Sequence, residues 1–400
     1  MIQTVLHIIF LILFVYLVIN TLYFFIITIA GLFYRKPKYG VNEKKKRIAV
    51  LIPSYKEDHI IVNTARRAAE HDYPKDSFDV FVAADQLQKE TIEKLRAIPV
   101  NVLEVQFEIG SKARSLNRLL NHIPENDYDV AIILDADNIM MPGVLEKVND
   151  AYQHGFRAVQ VHRTAKNRNT PVAILDAMSE EINNHIFRRG QRAAGFSCST
   201  IGSGMSFEFR KLKEVYNKPG ILGNPACDRE VDFEIMKANI CIEFIDDAFV
   251  LDEKVSSKAV YERQRTRWME SQIIHLRLFF DKKQGHVPKT KDWWNRLFYN
   301  MVPPRLIFLF SFFLVFVIFL VEYFTNYSIL YPAYGWWFAL TLVYLSVFPL
   351  SMPANLWTWS TFKAILHVPG LVLSMVRALF KMKVSRKEFL HTPKACTQDS

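Results

Sequence analysis

Residues 130–137 read VAIILDAD, an apolar run that ends directly at Asp135 and Asp137. A short run rich in β-branched residues, bounded by polar ones, is typical of a strand buried on both faces. Two earlier runs, Ile48–Ile52 and Phe78–Ala84, have the same character, and helix-like segments lie between the three. Alternating strands and helices predict an α/β domain with a mostly parallel sheet that is covered on both faces.

The predicted strands end in polar residues from which a site could be built. Asp135 and Asp137 flank one alanine, so both carboxylates can approach one hard divalent cation, which can bind a diphosphate. Asp85 closes the preceding strand and could contact a base or ribose, or cap the next helix. Because ligands bind outside the carboxyl ends of strands in such sheets, we expect a nucleotide site at this edge.

Two loops carry further candidates for binding. Lys112 opens a predicted helix, where a positive side chain and free backbone amides suit an anion; a solvated lysine is the equal alternative. Gly202-Ser203-Gly204 contains paired glycines, which allow a ligand to approach the backbone closely and also form ordinary turns.

Two predicted helices carry the remaining candidates. Asp228 and Asp232 share a helix face, from which a carboxylate could act as general base or simply complement the helix dipole. Gln264, Arg267 and Trp268 also share one face. There, arginine could bind phosphate oxygens and tryptophan could support a sugar ring, although a basic, aromatic helix resting on lipid headgroups is the alternative.

The N-terminal segment predicts a membrane span. Val5–Phe33 has no charged residue apart from His7, which can be neutral, and it is long enough to cross a bilayer. It lacks the basic start and the small-residue cleavage site of a signal peptide. Seven basic residues follow within 35–47, which predicts that the next domain lies on the cytosolic side.

The C-terminal part predicts two more spans, at about Leu306–Phe324 and Ala333–Leu350. A third run, Ala364–Phe380, is short and contains a proline, and we interpret it as an interfacial or re-entrant helix rather than a fourth span. These segments divide the chain into an N-terminal membrane helix (1–34), a cytosolic domain (35–290) and a membrane-associated C-terminal part with a basic cytosolic tail (291–400).

Charge and cysteine usage limit the classes of partner. The chain has 50 Lys+Arg against 40 Asp+Glu, a formal net charge of +10 in 400 residues. The basic clusters adjoin the membrane segments, so they indicate anionic membrane lipids as partners, and no nucleic-acid-binding module is recognisable. The four cysteines lack metal-ligand spacing, and in a cytosolic domain we expect them to be reduced.

Together these residues resemble the membrane-bound family-two glycosyltransferases, which include cellulose, chitin and hyaluronan synthases. The resemblance covers residues 47 to about 280 by motif. It rests on Pro53, Tyr55 and Glu57 of the opening motif, Asp85, the helix start at Lys112, Asp135-Ala-Asp137 and the complete Gln264-x-x-Arg267-Trp268 signature. At the catalytic base the family usually has Thr-Glu-Asp, whereas this sequence has Ala226-Cys227-Asp228. The spacing to Gln264 supports Asp228, with Asp232 as the alternative, and the tail Phe389–Lys394 resembles family tails that return to the catalytic face.

The resemblance implies a GT-A (Rossmann-like) domain that binds a nucleotide-sugar, with membrane helices on both sides. The donor would be a UDP-sugar, and Mg²⁺ or Mn²⁺ at Asp135 and Asp137 would hold its diphosphate. Asp228 would deprotonate an acceptor hydroxyl, and a single displacement would invert the anomeric configuration. The implied donor-binding residues are Pro53, Tyr55, Glu57, Asp85, Lys112, Asp135 and Arg267. The implied acceptor-binding residues are Gly202, Ser203, Gly204, Gln264 and Trp268.

The expected protein is therefore an integral membrane enzyme with a cytosolic catalytic domain. We favour synthesis of a β-linked polysaccharide, with a second copy or an export partner completing a channel. Transfer of a single sugar to a lipid-linked or glycan acceptor is the alternative. Two other classes compete: a haloacid-dehalogenase-like phosphatase, whose strand-borne aspartates resemble Asp135 and Asp137, and a non-catalytic membrane scaffold.

Overall fold

The computed structural model describes residues 2–40, 42–108, 110–223 and 227–382. Ala226, the tail segment Phe389–Lys394 and most of the basic tail lie outside these residues, as does Cys396. The three described cysteines, Cys198, Cys227 and Cys241, form no disulfide with one another.

The described chain contains eight strands in one mixed sheet, in the order β3-β2-β1-β4-β7-β6-β8-β5. The strands are β1 Ile48–Tyr55, β2 Phe78–Asp85, β3 Asn101–Val105, β4 Val130–Ile133, β5 Ile139–Met140, β6 Ala158–Ala165, β7 Met205–Glu208 and β8 Ile242–Asp252. The first four strands pair in parallel, as the alternating pattern predicted. In the rest of the sheet β6 and β8 also pair in parallel, whereas β7 runs antiparallel to β4 and β6, and β5 runs antiparallel to β8.

Helices cover both faces of the sheet and also form the N-terminal and C-terminal parts of the described chain. They are α1 Ile2–Leu32, α2 Ile61–Ala69, α3 Lys89–Arg96, α4 Lys112–His122, α5 Val144–Gln153, α6 Pro171–Asn184, α7 Gln191–Ala193, α8 Phe209–Tyr216, α9 Pro219–Leu222, α10 Cys227–Lys237, α11 Lys258–Leu278, α12 Lys291–Met301, α13 Arg305–Thr325, α14 Tyr334–Ser351, α15 Trp359–Ile365 and α16 Val368–Lys381. A π-helical turn, His185–Gly190, joins α6 to α7. Short 3₁₀ turns occupy Lys282–Gln284 and Ala354–Leu356.

Alternate residues of β1 point to opposite faces of the sheet and pack into two different apolar clusters. Val50 and its alternate neighbours pack in one apolar cluster with residues of α2 and α5. Leu51 belongs to a second cluster with α4, α8 and α10 on the other face. Burial on both faces explains why β1 reads as an uninterrupted apolar run.

Strand β1 is longer than predicted, since it continues through Pro53 to Tyr55. The pairing of β1 with β4 stops at Leu51, whereas its pairing with β2 continues to Tyr55 opposite Asp85. Pro53 therefore lies where one side of the strand is free, a position at which the missing N–H is tolerated.

Among the described residues, three helices are long and apolar enough to cross a membrane: α1, α13 and α14. Their apolar residues form a shared cluster that includes Phe24 and Trp337. The pair α15 and α16 is bent by 48°, and by length and composition it qualifies as a broken span or a re-entrant loop. The interfacial interpretation of this run and the division of the chain into three parts remain predictions.

Candidate active site

One cavity of about 680 Å³ opens at the carboxyl ends of β1 and β4 and extends between α6 and α11 towards α1, α13, α14 and α16. Most of the predicted site residues line it: Pro53, Tyr55, Glu57, Lys112, Asp135, Asp137, Gly202, Asp228, Gln264, Arg267 and Trp268. Ser203, Gly204 and Asp85 are fully buried behind or beside this lining. The topology thus brings together residues that lie more than 200 positions apart in the sequence.

Lys112 connects two of the segments that line the cavity. It is the first residue of α4, and its ammonium forms an ion pair with Asp135 at the end of β4. The same ammonium donates to the carbonyl oxygen of Gly202 at 2.6 Å, and the Asp135 N–H donates to Ser203 Oγ at 3.1 Å. Lys112 is therefore not a solvated surface lysine, because it connects the strand end to the glycine loop.

Asp137 is buried beside a cluster of oxygen atoms. The Nδ2 group of Asn138 donates to Asp137 Oδ1 at 3.1 Å and to Asp252 Oδ1 at 2.9 Å. The Oδ1 atom of Asn138 is buried and has no hydrogen-bond partner. Carboxylate and amide oxygens are hard donors of the kind that Mg²⁺ and Mn²⁺ prefer.

The residues at this edge fit a divalent cation that is held partly by the protein and partly by the phosphates of a bound substrate. Among the residues that the structure describes, no three His, Cys, Asp or Glu side chains converge to form a complete metal site. Mg²⁺ is commonly held by one or two carboxylates together with substrate phosphates and water. Asp135 and Asp137 would then be the protein's ligands, and the orphaned oxygen of Asn138 lies next to them.

Asp85 is fully buried at the end of β2 and does not cap the following helix. Its Oδ1 accepts a hydrogen bond from the Phe107 N–H at 3.4 Å, while Oδ2 is buried without a partner. Burial raises the pKa of Asp85. The orphaned oxygen is consistent with a ligand contact, although the side chain lies outside the cavity lining.

The ring of Tyr55 forms a flat wall that the sequence motif did not reveal. A Cβ on Gly110 would lie 2.5 Å from this ring, so the segment before α4 can approach it only as glycine. The ammonium of Lys56 also lies over the Tyr55 ring, with Nζ 5.2 Å from the ring centroid. An isolated glycine before a predicted helix gives no signal of such a contact.

The glycine loop lies directly against Asp228 near the start of α10. Gly202 has φ +81°, and a Cβ at this position would lie 3.1 Å from Asp228 Oδ2. Thr200 Oγ1 also donates to the main-chain oxygen of Asp228 at 3.4 Å. The loop therefore positions the start of α10, and Asp228 keeps a partly exposed carboxylate in the cavity.

Gln160 on β6 holds the same loop from behind. Its side-chain Nε2 donates to the carbonyl oxygens of Ser203 and Gly204 at 3.0 and 3.2 Å, and its Oε1 accepts from the Ile201 N–H at 3.1 Å. Gln160 is fully buried. A polar residue within an apolar strand was the available signal, and the sequence reasoning missed it.

Asp232 has different surroundings from Asp228. Its carboxylate is 14% exposed and pairs with two nitrogens of the Arg296 guanidinium, at 2.6 Å to Nε and 3.1 Å to Nη2. Burial raises the pKa of Asp232, and Arg296 opposes that shift. Both oxygens of the Asp232 carboxylate are therefore engaged by Arg296.

The signature residues of α11 face the cavity from the side opposite the sheet. Burial lowers the pKa of Arg267, and the carboxylates of Asp228 and Asp135 oppose that shift. Arg267 therefore lies near enough to interact electrostatically with both aspartates. Gln264 Oε1 is buried without a hydrogen-bond partner. The Trp268 ring lies 4.2 Å from the guanidinium carbon of Arg265, which fixes the orientation of the ring.

A buried network of four charges, which sequence reasoning did not find, forms one wall of the cavity. Arg163 Nε lies 2.6 Å from Glu180 Oε1, and Lys254 Nζ lies 2.5 Å from Asp252 Oδ2 and also pairs with Glu180. Burial disfavours the Asp252 carboxylate, but Arg163 and Lys254 outweigh burial and hold the pKa of Asp252 well below its usual range. The network has no net charge.

Comparison with known proteins now assigns the family. The family model described as Glycosyltransferase like family 2 matches residues 46–271, more than half of the chain. The chain belongs to the family-two glycosyltransferases. This assignment removes the phosphatase-like interpretation of Asp135 and Asp137.

Two curated relatives of this family-two glycosyltransferase are distant. It is 26% identical over 274 residues to the "Probable glycosyltransferase YdaM" of Bacillus subtilis, covering 63% of this chain and 62% of the relative. It is 21% identical over 283 residues to the "Beta-monoglucosyldiacylglycerol synthase" of Trichormus variabilis, covering 68% of this chain and 59% of the relative. The chain thus spans about three fifths of the length of each relative.

A solved structure shares the fold over nearly the whole chain. It is a mannosyltransferase, PcManGT from Pyrobaculum calidifontis, in complex with GDP-Man and Mn²⁺. The match covers 94% of this chain and 98% of that protein, with a TM-score of 0.55 and 16% sequence identity. The GT-A fold expected from the sequence is therefore confirmed.

Proposed function

We propose that this glycosyltransferase is metal-dependent and inverting, and that it transfers a sugar from a UDP-sugar to an acceptor hydroxyl at the cytosolic face of a membrane. The observation that carries the proposal is the position of Asp228. It lies in the same cavity as the Lys112–Asp135 pair, and Arg267 is electrostatically linked to both aspartates.

In the proposed reaction, the acceptor and donor ends of the cavity act together. Asp135 and Asp137 would hold Mg²⁺ or Mn²⁺, which neutralises charge on the donor diphosphate when it is bound. Arg267 and Lys112 would contact the departing diphosphate, where negative charge grows in the transition state. Tyr55 and the residues around it would position the nucleotide.

The proton leaves the acceptor through Asp228. The acceptor oxygen would bond to the anomeric carbon while the bond from that carbon to the diphosphate breaks, and the hydroxyl proton would pass to the Asp228 carboxylate. A single displacement of this kind inverts the anomeric configuration, so an α-linked donor would yield a β-linked product.

The two aspartates of α10 differ in their availability for this role. Asp228 presents a partly exposed carboxylate to the cavity, whereas both oxygens of Asp232 are held by Arg296. A base must be reached by the proton that it takes. This contrast supports Asp228 as the base and a structural role for Asp232.

The acceptor that the cavity fits best is a membrane lipid or lipid-linked molecule. Beyond Trp268 the lining becomes apolar and includes Leu306 of α13, Leu371 and Met375 of α16. Such a wall suits a hydrocarbon chain better than a glycan. A β-linked polysaccharide is the second candidate; it is favoured by the complete signature at Gln264–Trp268, and it would need a second copy or an export partner to complete a channel.

The orientation in the membrane follows from charge. The basic residues after α1 favour a cytosolic catalytic domain, and a total of three spans would place residues 352–382 on the same side. Transfer of a labelled sugar from UDP-sugars into membrane extract, followed by digestion with α- and β-specific glycosidases, tests the proposal. Label released only by the β-specific enzyme agrees with it, and release by the α-specific enzyme would contradict inversion.

A further inference from the structure

The cavity continues past the catalytic residues to the membrane helices. Its far end is lined by Phe24 of α1, Leu306 of α13, Phe348 of α14, and Leu371 and Met375 of α16. Each of these helices is a candidate span or part of the bent pair. An apolar chain could therefore enter this end from the bilayer.

Two arginines interrupt this apolar lining. Arg188, in the π-helical turn, is 3% exposed, and its Nε donates to the Ser199 carbonyl at 3.2 Å. Arg305, the first residue of α13, donates from Nη2 to the carbonyl and hydroxyl oxygens of Ser179 at 3.1 and 3.2 Å, while its Nη1 is buried without a partner. Within the described part of the chain, neither guanidinium forms an ion pair with a carboxylate.

Four other cations of the cavity lining have carboxylate partners. Arg296 pairs with Asp232, Arg265 pairs with Asp176, and the Arg163–Lys254 side of the wall is balanced by Glu180 and Asp252. Burial of a charge is unfavourable unless a counter-charge accompanies it. Burial accordingly lowers the pKa of Arg188. Arg188 and Arg305 are thus two cations of the cavity lining for which the described residues supply no carboxylate partner.

The hydrogen bonds of the two arginines connect them to different parts of the cavity lining. Arg188 binds the carbonyl of Ser199, and the next residue, Thr200, binds the main chain of Asp228. Arg305 instead adjoins the membrane helices, since its carbonyl accepts a hydrogen bond from Tyr344 of α14 at 2.9 Å. Arg188 is therefore connected to the Asp228 side of the lining, and Arg305 to the side formed by α13 and α14.

The ring of Tyr299 lies close to another arginine of the cavity lining, Arg229. It also lines the cavity, and it packs against Phe187 with ring centroids 4.6 Å apart. The guanidinium carbon of Arg229 lies 5.7 Å from the Tyr299 ring centroid. Arginine is the side chain best suited to bind phosphate oxygens in partly desolvated sites, because its planar fork donates two parallel hydrogen bonds.

We propose that the acceptor is an amphiphile in which a phosphate or diphosphate joins an apolar chain to a hydroxyl-bearing head, and that Arg188 and Arg305 bind this phosphate. The inference rests on the proposed function and specifies its acceptor. The head-group hydroxyl attacks the anomeric carbon, its proton passes to Asp228, and UDP leaves with the electron pair of the broken bond. The phosphate of the acceptor is unchanged. A glycerophospholipid and a polyprenyl-diphosphate-linked sugar both have this chemistry.

The test uses the full chain in phosphatidylcholine nanodiscs with Mn²⁺ and the UDP-sugar that it hydrolyses fastest. Four discs are compared: phosphatidylcholine alone, or with diacylglycerol, phosphatidylglycerol or a polyprenyl-diphosphate-linked sugar. The variants are Arg188→Gln and Arg305→Gln, with Arg188→Lys and Arg305→Lys to restore charge. The matched control is Arg377→Gln, which removes an exposed positive charge from α16 outside the cavity lining. UDP-sugar binding is measured for every variant as a check of folding.

We expect label in one of the two phosphate-bearing lipids and less in diacylglycerol. The arm that accepts the label identifies the source of the phosphate. Transfer should fall at least about tenfold in each Gln variant, in line with the loss of a charge-assisted hydrogen bond, and should recover partly in the Lys variants. UDP-sugar binding should be unchanged throughout, and the control should match the unmodified protein.

Two results would overturn the inference. Labelling of diacylglycerol to the same extent as either phosphate-bearing lipid would show that the enzyme does not recognise the phosphate. Equal transfer by the Gln variants and the Arg377→Gln control would remove the two arginines from acceptor binding while leaving the proposed function intact. Absence of both UDP-sugar binding and turnover in every disc would instead overturn the proposed function, and this inference with it.

Discussion

The backbone of Gly202 lies against the carboxylate of Asp228, so closely that a Cβ at residue 202 would be 3.1 Å from Asp228 Oδ2. Residue 202 has φ +81°, a conformation that glycine adopts without strain. The glycine loop thus positions the proposed base, and the absence of a side chain at residue 202 leaves the carboxylate free to face the cavity.

Gly202→Ala should therefore reduce sugar transfer much more than it reduces stability. The left-handed conformation would cost about 1–2 kcal/mol in unfolding free energy, and the new methyl group would push on Asp228. Gly155→Ala is the matched control, because Gly155 has φ +89° and a Cβ there would meet no atom within 4 Å. We expect similar melting temperatures for the two variants and a transfer rate lower by about tenfold or more only for Gly202→Ala. Equal rates would contradict the positioning role.

Substitution of the two aspartates of α10 should separate catalysis from stability. Asp228→Asn should lower transfer by about 10²–10⁴-fold, the range for loss of a general base, with donor binding and melting temperature retained. Asp232→Asn should destabilise the protein by about 3–5 kcal/mol, because it leaves Arg296 as an unpaired buried charge. Transfer assays and thermal melting of both variants provide the measurement. Normal turnover by Asp228→Asn would refute its role as base.

Removal of divalent cations should abolish transfer, and Mn²⁺ or Mg²⁺ should restore it. Asp137→Asn should raise the Mn²⁺ concentration needed for half-maximal activity by about 10–100-fold, since one of two anionic ligands becomes neutral. Asp247→Asn serves as control, because Asp247 is exposed and pairs with Lys147 at 3.0 Å away from the cavity. Full activity after chelation, or the same Mn²⁺ requirement in both variants, would count against the proposed metal site.

The stability of the catalytic domain should depend on pH through His162. This buried side chain lies 2.9 Å from Glu181 and 3.2 Å from Asp246. Burial disfavours its charged form, but the two carboxylates outweigh burial and raise the pKa of His162 from 6.5 to about 9. A raised histidine pKa stabilises the folded state fully below pH 6.5, and that contribution is lost as pH rises towards 9.

The unfolding free energy should thus fall by on the order of 2–3 kcal/mol across this window. His162→Gln should be less stable at pH 6 and should lack most of this decline, which denaturant unfolding between pH 6 and 9 would measure. His122→Gln, at an exposed histidine, should retain the decline of the unmodified protein. The same pH profile in both variants would mean that His162 is not charged in the folded state.

The parts of the fold that sequence predicted are those with a local signal. Residues 130–133 form a buried strand because an uninterrupted run rich in β-branched residues suits no exposed element, and the acidic residues that follow it then lie at the ligand edge. The predicted spans at Leu306–Phe324 and Ala333–Leu350 agree with α13 and α14 to within one residue. Hydrophobic length decides a span, and no distant partner is needed.

The parts that sequence could not predict depend on distant partners. Nothing near Asp232 indicated that Arg296, 64 positions later, would occupy it. The reversal of β7 likewise depends on how β6 and β8 pack beside it. Arg188 shows the same limit, because its lack of a counter-charge is a property of the cavity and not of its neighbours in the chain. Long-range pairing therefore determines which carboxylate is free and which arginine is not neutralised.

The most direct test of the central claim is UDP release by the purified protein with Mn²⁺ across a panel of UDP-sugars, beside Asp135→Ala and Asp228→Asn. The account predicts release from one donor by the unmodified protein and loss of release in both variants. Release that persists in both variants would contradict the assignment of this cavity as the active site, and absence of release from every donor would contradict the UDP-sugar specificity.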